Sequence, residues 1–128
     1  MTVQTEGRHA AEYIVSEANG TRSREVITLL AGNNLPAGTV LAKIATGGGA
    51  GKFTVLNPAS AADPADGTKV AAAVLFAPVD ATAADHAAVI TARDAEVKAA
   101  ALGWPAGITG PQKTTALGEL AALGIVAR

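Results

Sequence analysis

The stretch LPAGTVLAKI at residues 35–44 predicts a tight turn that leads into a β-strand. Pro36 fixes its own φ near the value needed at the second position of a turn, and Gly38 suits the exit. Side chains alternate along a strand, so one face is expected to carry Val40, Ala42 and Ile44. Because that face is wholly apolar, residues 35–44 are predicted to lie on a core and to organise the chain.

The segments on either side of this stretch predict further strands, so the expected fold class is mainly β. These strands are expected at residues 12–16, 25–30, 52–56, 68–77, 87–92 and 125–127. Helix is the competing prediction for 68–77, because alanine favours it, but Gly67 and Pro78 bound the run closely. Turns and loops are predicted between the strands, at 17–25, 32–34, 45–51, 57–67 and 79–85.

The last third of the chain predicts two short α-helices. Asp94 is a good N-cap for an alanine-rich helix over Ala95–Leu102. Pro111 fits the first position of a second helix, which would run to about Leu123 with Gly124 past its end. No internal repeat or linker divides the chain, so 128 residues are expected to form a single domain.

The composition predicts a modest hydrophobic core. The hydrophobic fraction of 49% overstates that core, because alanine is the most frequent of the residues counted. Aromatic residues make up 3%, so few side chains can each bury a large area. Association with further copies would bury more apolar surface than one chain can bury alone. Composition is therefore compatible with an oligomer, and with a monomer.

Charge and cysteine content exclude several classes of protein. The formal net charge is −1 and the charges are spread along the chain, so no basic stripe can follow a nucleic-acid backbone. With no cysteine there is no disulfide, thiol nucleophile or thiolate metal site. No secretory signal is recognised, and no window approaches the ~18 apolar residues of a membrane span. We expect a soluble protein, made in the cytoplasm, with neither nucleic acid nor membrane as partner.

Residues 47–52, Gly-Gly-Gly-Ala-Gly-Lys, invite comparison with a phosphate-binding P-loop. That motif needs a glycine where Thr46 stands and a Ser or Thr where Phe53 stands. No helix is predicted to follow, so the helix N-terminus that would bind phosphate is missing. A flexible surface loop is the favoured interpretation.

Other candidate chemistry has a simpler structural explanation. Neither His9 nor His86 has a second ligand at the spacing of a metal site, and no serine lies in a G-x-S-x-G elbow. Two carboxylate pairs could be imagined in acid–base catalysis, namely Asp80 with Asp85 and Asp94 with Glu96. A strand flank and a helix cap account for these carboxylates more simply. We therefore expect no catalytic residue, metal, cofactor or small-molecule substrate.

Trp104 is the only tryptophan and is followed by Pro105. In an alanine-rich chain such a residue most often fills the core under a helix end. The alternative is an anchor at a subunit interface, where tryptophan is enriched. The core position is favoured, and the interface remains open.

Several segments, taken in order, resemble the phage head decoration proteins of the lambda protein D type. They are residues 12–25, 35–44, 57–67 leading into 70–79, 80–82, 92–97, 102–105, the C-terminal helix and 124–126. This likeness covers nearly the whole chain, and none of its segments is a catalytic signature.

The resemblance implies a non-enzymatic protein with a compact, mostly β fold of β-clip type over residues 26–128 and a flexible capsid-binding arm over residues 1–25. Such proteins form trimers on the outside of the expanded head, at local threefold positions. There they clamp major capsid protein subunits against the pressure of packaged DNA. The alternative is a small non-enzymatic β-type binding module on a virion surface. A major capsid protein encoded beside this chain would distinguish the two.

The N-terminal arm offers a physical route to capsid binding. A strand as short as residues 12–16 cannot bury enough to stay ordered alone, but it can add to an exposed sheet edge. Ordering about ten residues costs on the order of 10 kcal/mol, so one arm would bind weakly and three arms together strongly. The expected contacts are Glu12, Tyr13, Ile14, Val15, Ser16, Asn19, Arg22 and Arg24. Deletion of residues 1–16 is expected to leave a folded trimer that no longer decorates capsids.

Overall fold

Ten strands and one α-helix make up the part of the chain, residues 3–58 and 66–128, that the computed structural model describes. The strands are β1 Ile14–Glu17, β2 Arg24–Leu29, β3 Asn33–Leu35, β4 Val40–Lys43, β5 Phe53–Val55, β6 Ala71–Leu75, β7 Val79–Ala81, β8 His86–Thr91, β9 Ala95–Val97 and β10 Ile125–Ala127. The helix α1 is Gly110–Ala122, and Ala99–Ala101 form a short 3₁₀ helix. The predicted mainly β, single-domain fold is confirmed. Of the predicted loop 57–67, residues 59–65 lie outside the described residues.

Five strands close into a barrel in the order β2-β5-β4-β6-β8. Strand β4 lies between β5 and β6, antiparallel to both, with Leu41 opposite Val55 on one side and Ala73 on the other. The longest ladder joins β2 to β8, from Arg24 opposite Thr91 to Leu29 opposite His86. The stretch that predicted a strand therefore lies within the barrel wall.

Strand β4 is buried on both faces, because a separate hydrophobic cluster lies on each. Val40, Leu41 and Ala42 are each 0% exposed. Leu41 packs in the barrel interior, in a cluster with Leu29, Phe53, Ala73, Leu75, Ala81, Ala88 and Ile90. The outer cluster lies against α1 and contains Tyr13, Val40, Ala42, Leu56, Ala71, Val74, Val97, Leu102, Ala116, Leu120 and Ile125. Burial of each large aliphatic side chain contributes about 1.5–3 kcal/mol.

The predicted turn before β4 is present and depends on Gly38. Its φ of +84° is unfavourable for other residues, and a Cβ there would lie 2.8 Å from the carbonyl oxygen of Ala101. The Gly38 N–H donates to the Leu75 carbonyl at 2.8 Å, and the Thr39 hydroxyl donates to the Pro36 carbonyl at 2.7 Å. The turn is thereby hydrogen-bonded to the end of β6, a part of the chain distant in sequence.

A second sheet has β9 at its centre, antiparallel to β1 and parallel to β10. The predicted helix over Ala95–Leu102 is therefore wrong. Ala95 and Val97 point into the core and the strand bonds to a neighbour on each side, which outweighs the helix propensity of alanine. Asp94 caps no helix. It has a φ of +52°, and its carbonyl accepts the Ala18 N–H at 3.0 Å.

Helix α1 agrees with its prediction to within one residue at each end. Thr109 is the N-cap and forms a capping box with Gln112, and Gly124 past the end has a φ of +87°. Ala116 and Leu120 are buried against the outer cluster.

The long apolar run is also confirmed as a strand, β6, at residues 71–75. The turn and loop predicted at 32–34 and 79–85 are partly wrong, because β3 and β7 pair there with Asn33 opposite Ala81. The Asn33 side chain is buried and donates to the Leu30 carbonyl at 2.8 Å, so a typical turn residue is held inside a two-stranded ribbon.

Candidate functional site

Tyr13 fixes the N-terminal part of the chain to the barrel. Its side chain is 1% exposed and belongs to the outer cluster. Its hydroxyl is hydrogen-bonded to that of Thr91 at 2.5 Å. Burial raises the pKa of Tyr13 to about 12, and the bond to Thr91 offsets part of that rise. A residue predicted to contact a partner is thus a core residue of this chain.

Strand β1 divides its side chains between the core and the surface. Ile14 packs against the outer cluster, whereas Val15 is 53% exposed and Ser16 is exposed. The register shifts between Ile14 and Ser16, so Val15 occupies a bulge. The strand predicted at residues 12–16 is present as β1, and β9 bonds to it along one edge. Among the described residues, no strand pairs with the other edge of β1.

An ion pair closes the turn between β1 and β2. The Glu17 carboxylate accepts hydrogen bonds from the Arg24 guanidinium and from the Ser23 hydroxyl, the latter at 2.7 Å. These bonds, Arg24 first, hold the pKa of Glu17 below its usual range. The Arg24 guanidinium also lies over the Phe76 ring, 4.2 Å from its centroid. Arg24 is therefore engaged by this chain.

Asn19 and Arg22 lie on the exposed part of the same turn. The Arg22 guanidinium is 3.6 Å from the Asp94 carboxylate. The backbone carbonyl of Arg22 accepts a hydrogen bond from the Arg93 guanidinium at 2.8 Å. The ion pair is solvent-exposed, so it stabilises the fold only weakly.

Residues 3–12, the N-terminal segment, change from exposed to docked along their length. Residues 3–7 are exposed, with Val3 at 86%. The Arg8 side chain lies beside Gly38 and Gly103. The Ala11 N–H donates to the Phe76 carbonyl at 3.0 Å, and Tyr13 is buried in the outer cluster. The Glu12 carboxylate turns back and accepts the His9 N–H at 2.8 Å. Contacts with the rest of the fold are therefore present well before residue 26. The division into a capsid-binding arm over residues 1–25 and a domain over residues 26–128 stays a prediction.

The outer face of the second sheet carries a small mixed surface that spacing along the chain could not predict. Glu96 is central to it, accepting from the Ser16 hydroxyl at 2.9 Å and from the Arg128 guanidinium at 2.7 Å. Val15 and Val126, the latter 37% exposed, carry its apolar area. We call these five residues the β1 face.

Trp104 and Pro105 are half-buried, and Trp104 packs against the outer cluster. The preceding Gly103 bridges to Thr39, and its carbonyl accepts the Val40 N–H at 3.0 Å. Trp104 therefore supports the segment beside β4 while part of its side chain stays accessible.

The carboxylates considered for catalysis are held by structural partners. Asp80 accepts from Thr82, and Asp85 accepts from the Ala31 N–H and lies 2.6 Å from the Lys52 ammonium. These contacts lower the pKa of both carboxyls, so each is ionised at neutral pH and unsuited to general-acid catalysis. Lys52, the lysine of the P-loop-like run, is engaged with Asp85.

The described residues contain no group of three or more His, Asp or Glu side chains arranged to hold a metal ion. In the same part of the chain, no helix is long and apolar enough to cross a membrane.

The eight predicted arm residues therefore do not form one surface. Tyr13 and Ile14 face the core, and Arg24 is paired with the Glu17 carboxylate. Arg22 is exposed and paired with Asp94, and the other exposed residues are Glu12, Val15, Ser16 and Asn19. Sequence reasoning did not predict the contact of Glu17 with Arg24, or those of Glu96 with Ser16 and Arg128. Their partners follow from strand pairing that local spacing does not reveal.

Comparison with known proteins gives one clear result. A search of curated proteins finds no match. The model of one protein family, described as Bacteriophage lambda head decoration protein D, matches residues 3–125 of this chain.

Proposed function

The chain belongs to the bacteriophage lambda head decoration protein D family, and on that premise we propose that it binds the outside of a phage head as a trimer. The role of the family is capsid decoration, in the virion. In the proposal, the trimer sits at local threefold positions of the expanded shell and clamps major capsid protein subunits against the pressure of packaged DNA. It acts by binding, without catalysis or cofactor, after synthesis in the host cytoplasm.

The observation that carries the proposal is the free edge of β1 beside an exposed N-terminal segment. Residues 3–7 are exposed, while the chain is fixed from Ala11 and Tyr13 onward. A strand of the capsid protein can add to such an edge through main-chain hydrogen bonds. Val15 and Ser16 then lie beside the added strand and contribute selectivity.

Anchoring at Tyr13 reduces the cost of this binding. Ordering a residue costs about 1–2 kcal/mol. An arm in which only residues 1–10 become ordered on binding therefore loses less entropy than one in which residues 1–25 become ordered. Each contact remains weak, and three contacts from one trimer combine through their effective concentration. Only a shell that presents three correctly spaced edges can engage all three.

The same anchoring changes the expected result of truncation. Removal of residues 1–16 takes away Tyr13 and most of β1, and with them core packing. Removal of residues 1–10 leaves Tyr13 and the Ala11 N–H bond to Phe76 in place. The shorter deletion is therefore the fair test of the arm.

The experiment mixes purified protein with expanded, undecorated capsids and images the particles by electron cryomicroscopy. The full chain is expected to appear as three copies at each local threefold position. The variant lacking residues 1–10 is expected to stay folded, by circular dichroism, and not to decorate. Normal decoration by that variant would refute the arm mechanism, and absence of decoration by the full chain would refute the proposed function.

A matched pair of substitutions locates the contact. Val15→Lys alters the β1 face, where Val15 is 53% exposed, and Val26→Lys alters a more accessible strand surface, since Val26 on β2 is 74% exposed. Loss of decoration with Val15→Lys alone supports contact at β1. The reverse result would place the contact on the barrel.

A further inference from the structure

The turn between β1 and β2 contains the dipeptide Asn19-Gly20, which the proposed function leaves unexplained. Both residues are exposed. Gly20 has a φ of +68°, and nothing lies within 4 Å of the position a Cβ would take. Backbone and side chain at this turn are therefore unobstructed.

Neither reacting group of this dipeptide is held by a hydrogen bond. Within residues 3–58 and 66–128, the Asn19 side-chain amide has no hydrogen-bond partner. The Gly20 N–H likewise donates to no carbonyl or side chain in that part of the protein. The backbone nitrogen of Gly20 is thus free to lose its proton to solvent, and the Asn19 side chain is free to rotate towards that nitrogen.

We propose that Asn19 is a site of spontaneous deamidation. The deprotonated backbone nitrogen of Gly20 attacks Cγ of Asn19 and forms an N–C bond, while the Cγ–N bond of the side chain breaks and ammonia leaves. Water then adds to one of the two carbonyls of the cyclic imide and opens the ring, which gives either aspartate or isoaspartate. One water is consumed and one ammonia released, with no change of oxidation state.

The chain carries its own comparison sites. Asn57 precedes Pro58, whose nitrogen has no proton to lose. Asn33 and Asn34 lie in β3, and the Asn33 amide donates to Leu30 and to Thr54 at 3.2 Å. Ring closure at these three positions is blocked chemically or restrained by the fold, so conversion should concentrate at Asn19.

Deamidation changes both the charge and the backbone of the turn. It adds one negative charge to a chain of formal net charge −1, between Glu17 and the Arg22–Asp94 ion pair. Isoaspartate also inserts a methylene into the main chain. The inference does not depend on the proposed function, since the reaction needs only the turn and water.

The test incubates the folded full chain at mildly alkaline pH and follows each asparagine by peptide mapping with mass spectrometry. We expect the ammonia-loss product and its hydrolysis products at Asn19 well before any change at Asn33, Asn34 or Asn57. Equal or faster conversion at any of those three sites would overturn the proposal. So would an unmodified Asn19 after a free peptide of residues 16–23 has converted completely.

Two substitutions provide controls. Asn19→Ser removes the reacting amide and should abolish the charge change seen by isoelectric focusing. Gly20→Asp introduces a residue that tolerates a left-handed turn but adds a side chain beside the attacking nitrogen. Conversion of Asn19 should therefore slow strongly. Conversion at the wild-type rate in Gly20→Asp would contradict the proposed route. Neither readout involves capsid binding, so failure here leaves the proposed function untouched.

Discussion

The hydroxyl groups of Tyr13 and Thr91 meet in a hydrogen bond between residues 78 positions apart in the sequence. Thr91 is the last residue of β8 and is 0% exposed. The contact therefore secures the chain entering β1 to the barrel wall, in a region from which water is excluded.

Tyr13→Phe should destabilise the protein although it keeps the ring. The substitution leaves the buried Thr91 hydroxyl without its partner, which costs about 1–3 kcal/mol in the free energy of unfolding. The double variant Tyr13→Phe with Thr91→Val should lose less than the sum of the two single variants, because it removes both polar groups. Urea denaturation followed by circular dichroism measures all four proteins. Strict additivity would show that the two hydroxyls do not interact.

Alkaline pH should weaken the fold through Tyr13. Its pKa is raised from 10.0 to about 12 in the folded protein, so folding favours the protonated form. The associated stability is present in full below pH 10 and is lost as the pH rises towards 12. Tyr13 is the only tyrosine, so ultraviolet absorbance of phenolate reports it directly. Titration near the ordinary value, with the protein still folded, would contradict its burial.

Gly38→Ala should destabilise the protein much more than Gly47→Ala. Both glycines have a left-handed backbone conformation, with φ values of +84° and +81°. Both variants therefore carry a conformational cost of about 1–2 kcal/mol. Only at Gly38 does the new Cβ meet a backbone oxygen, at 2.8 Å, whereas nothing lies within 4 Å at Gly47. The crowding adds about 1–3 kcal/mol. Thermal unfolding compares the two, and equal effects would mean that the turn before β4 is loosely packed.

Ala11→Gly should stabilise the protein. Ala11 has a φ of +63°, and among the described residues only Asp94 shares a positive φ without being glycine. Relief of this strain exceeds the entropy that glycine adds to the unfolded chain, for a net gain of up to about 1 kcal/mol. A higher urea midpoint is the expected observation. A lower midpoint would show that the Ala11 side chain contributes packing that outweighs its backbone strain.

Local pattern was sufficient wherever a segment's own residues decide its structure. The alternation from Val40 predicted β4, the bounds Gly67 and Pro78 favoured strand for β6, and Pro111 with Gly124 bounded α1. In each case the turn chemistry and the apolar pattern agree with the final packing.

Local pattern failed where a segment is decided by neighbours distant in the sequence. Ala95–Val97 has helical composition but lies between β1 and β10, and neither partner can be inferred from residues 94–102. Tyr13 looked like part of a free arm because Thr91 and the outer cluster that receive it lie far along the chain. The predicted site consequently mixed core residues with surface residues.

Because β9 lies between β1 and β10, the order of synthesis constrains when the second sheet can be completed. All five barrel strands lie within residues 24–91 and are synthesised before Ile125. The first strand thus has no complete sheet to join until residues 125–127 have followed. Pairing between segments so far apart in the sequence is slow. The nascent chain therefore holds every barrel strand before it can complete the sheet whose edge we propose meets the shell.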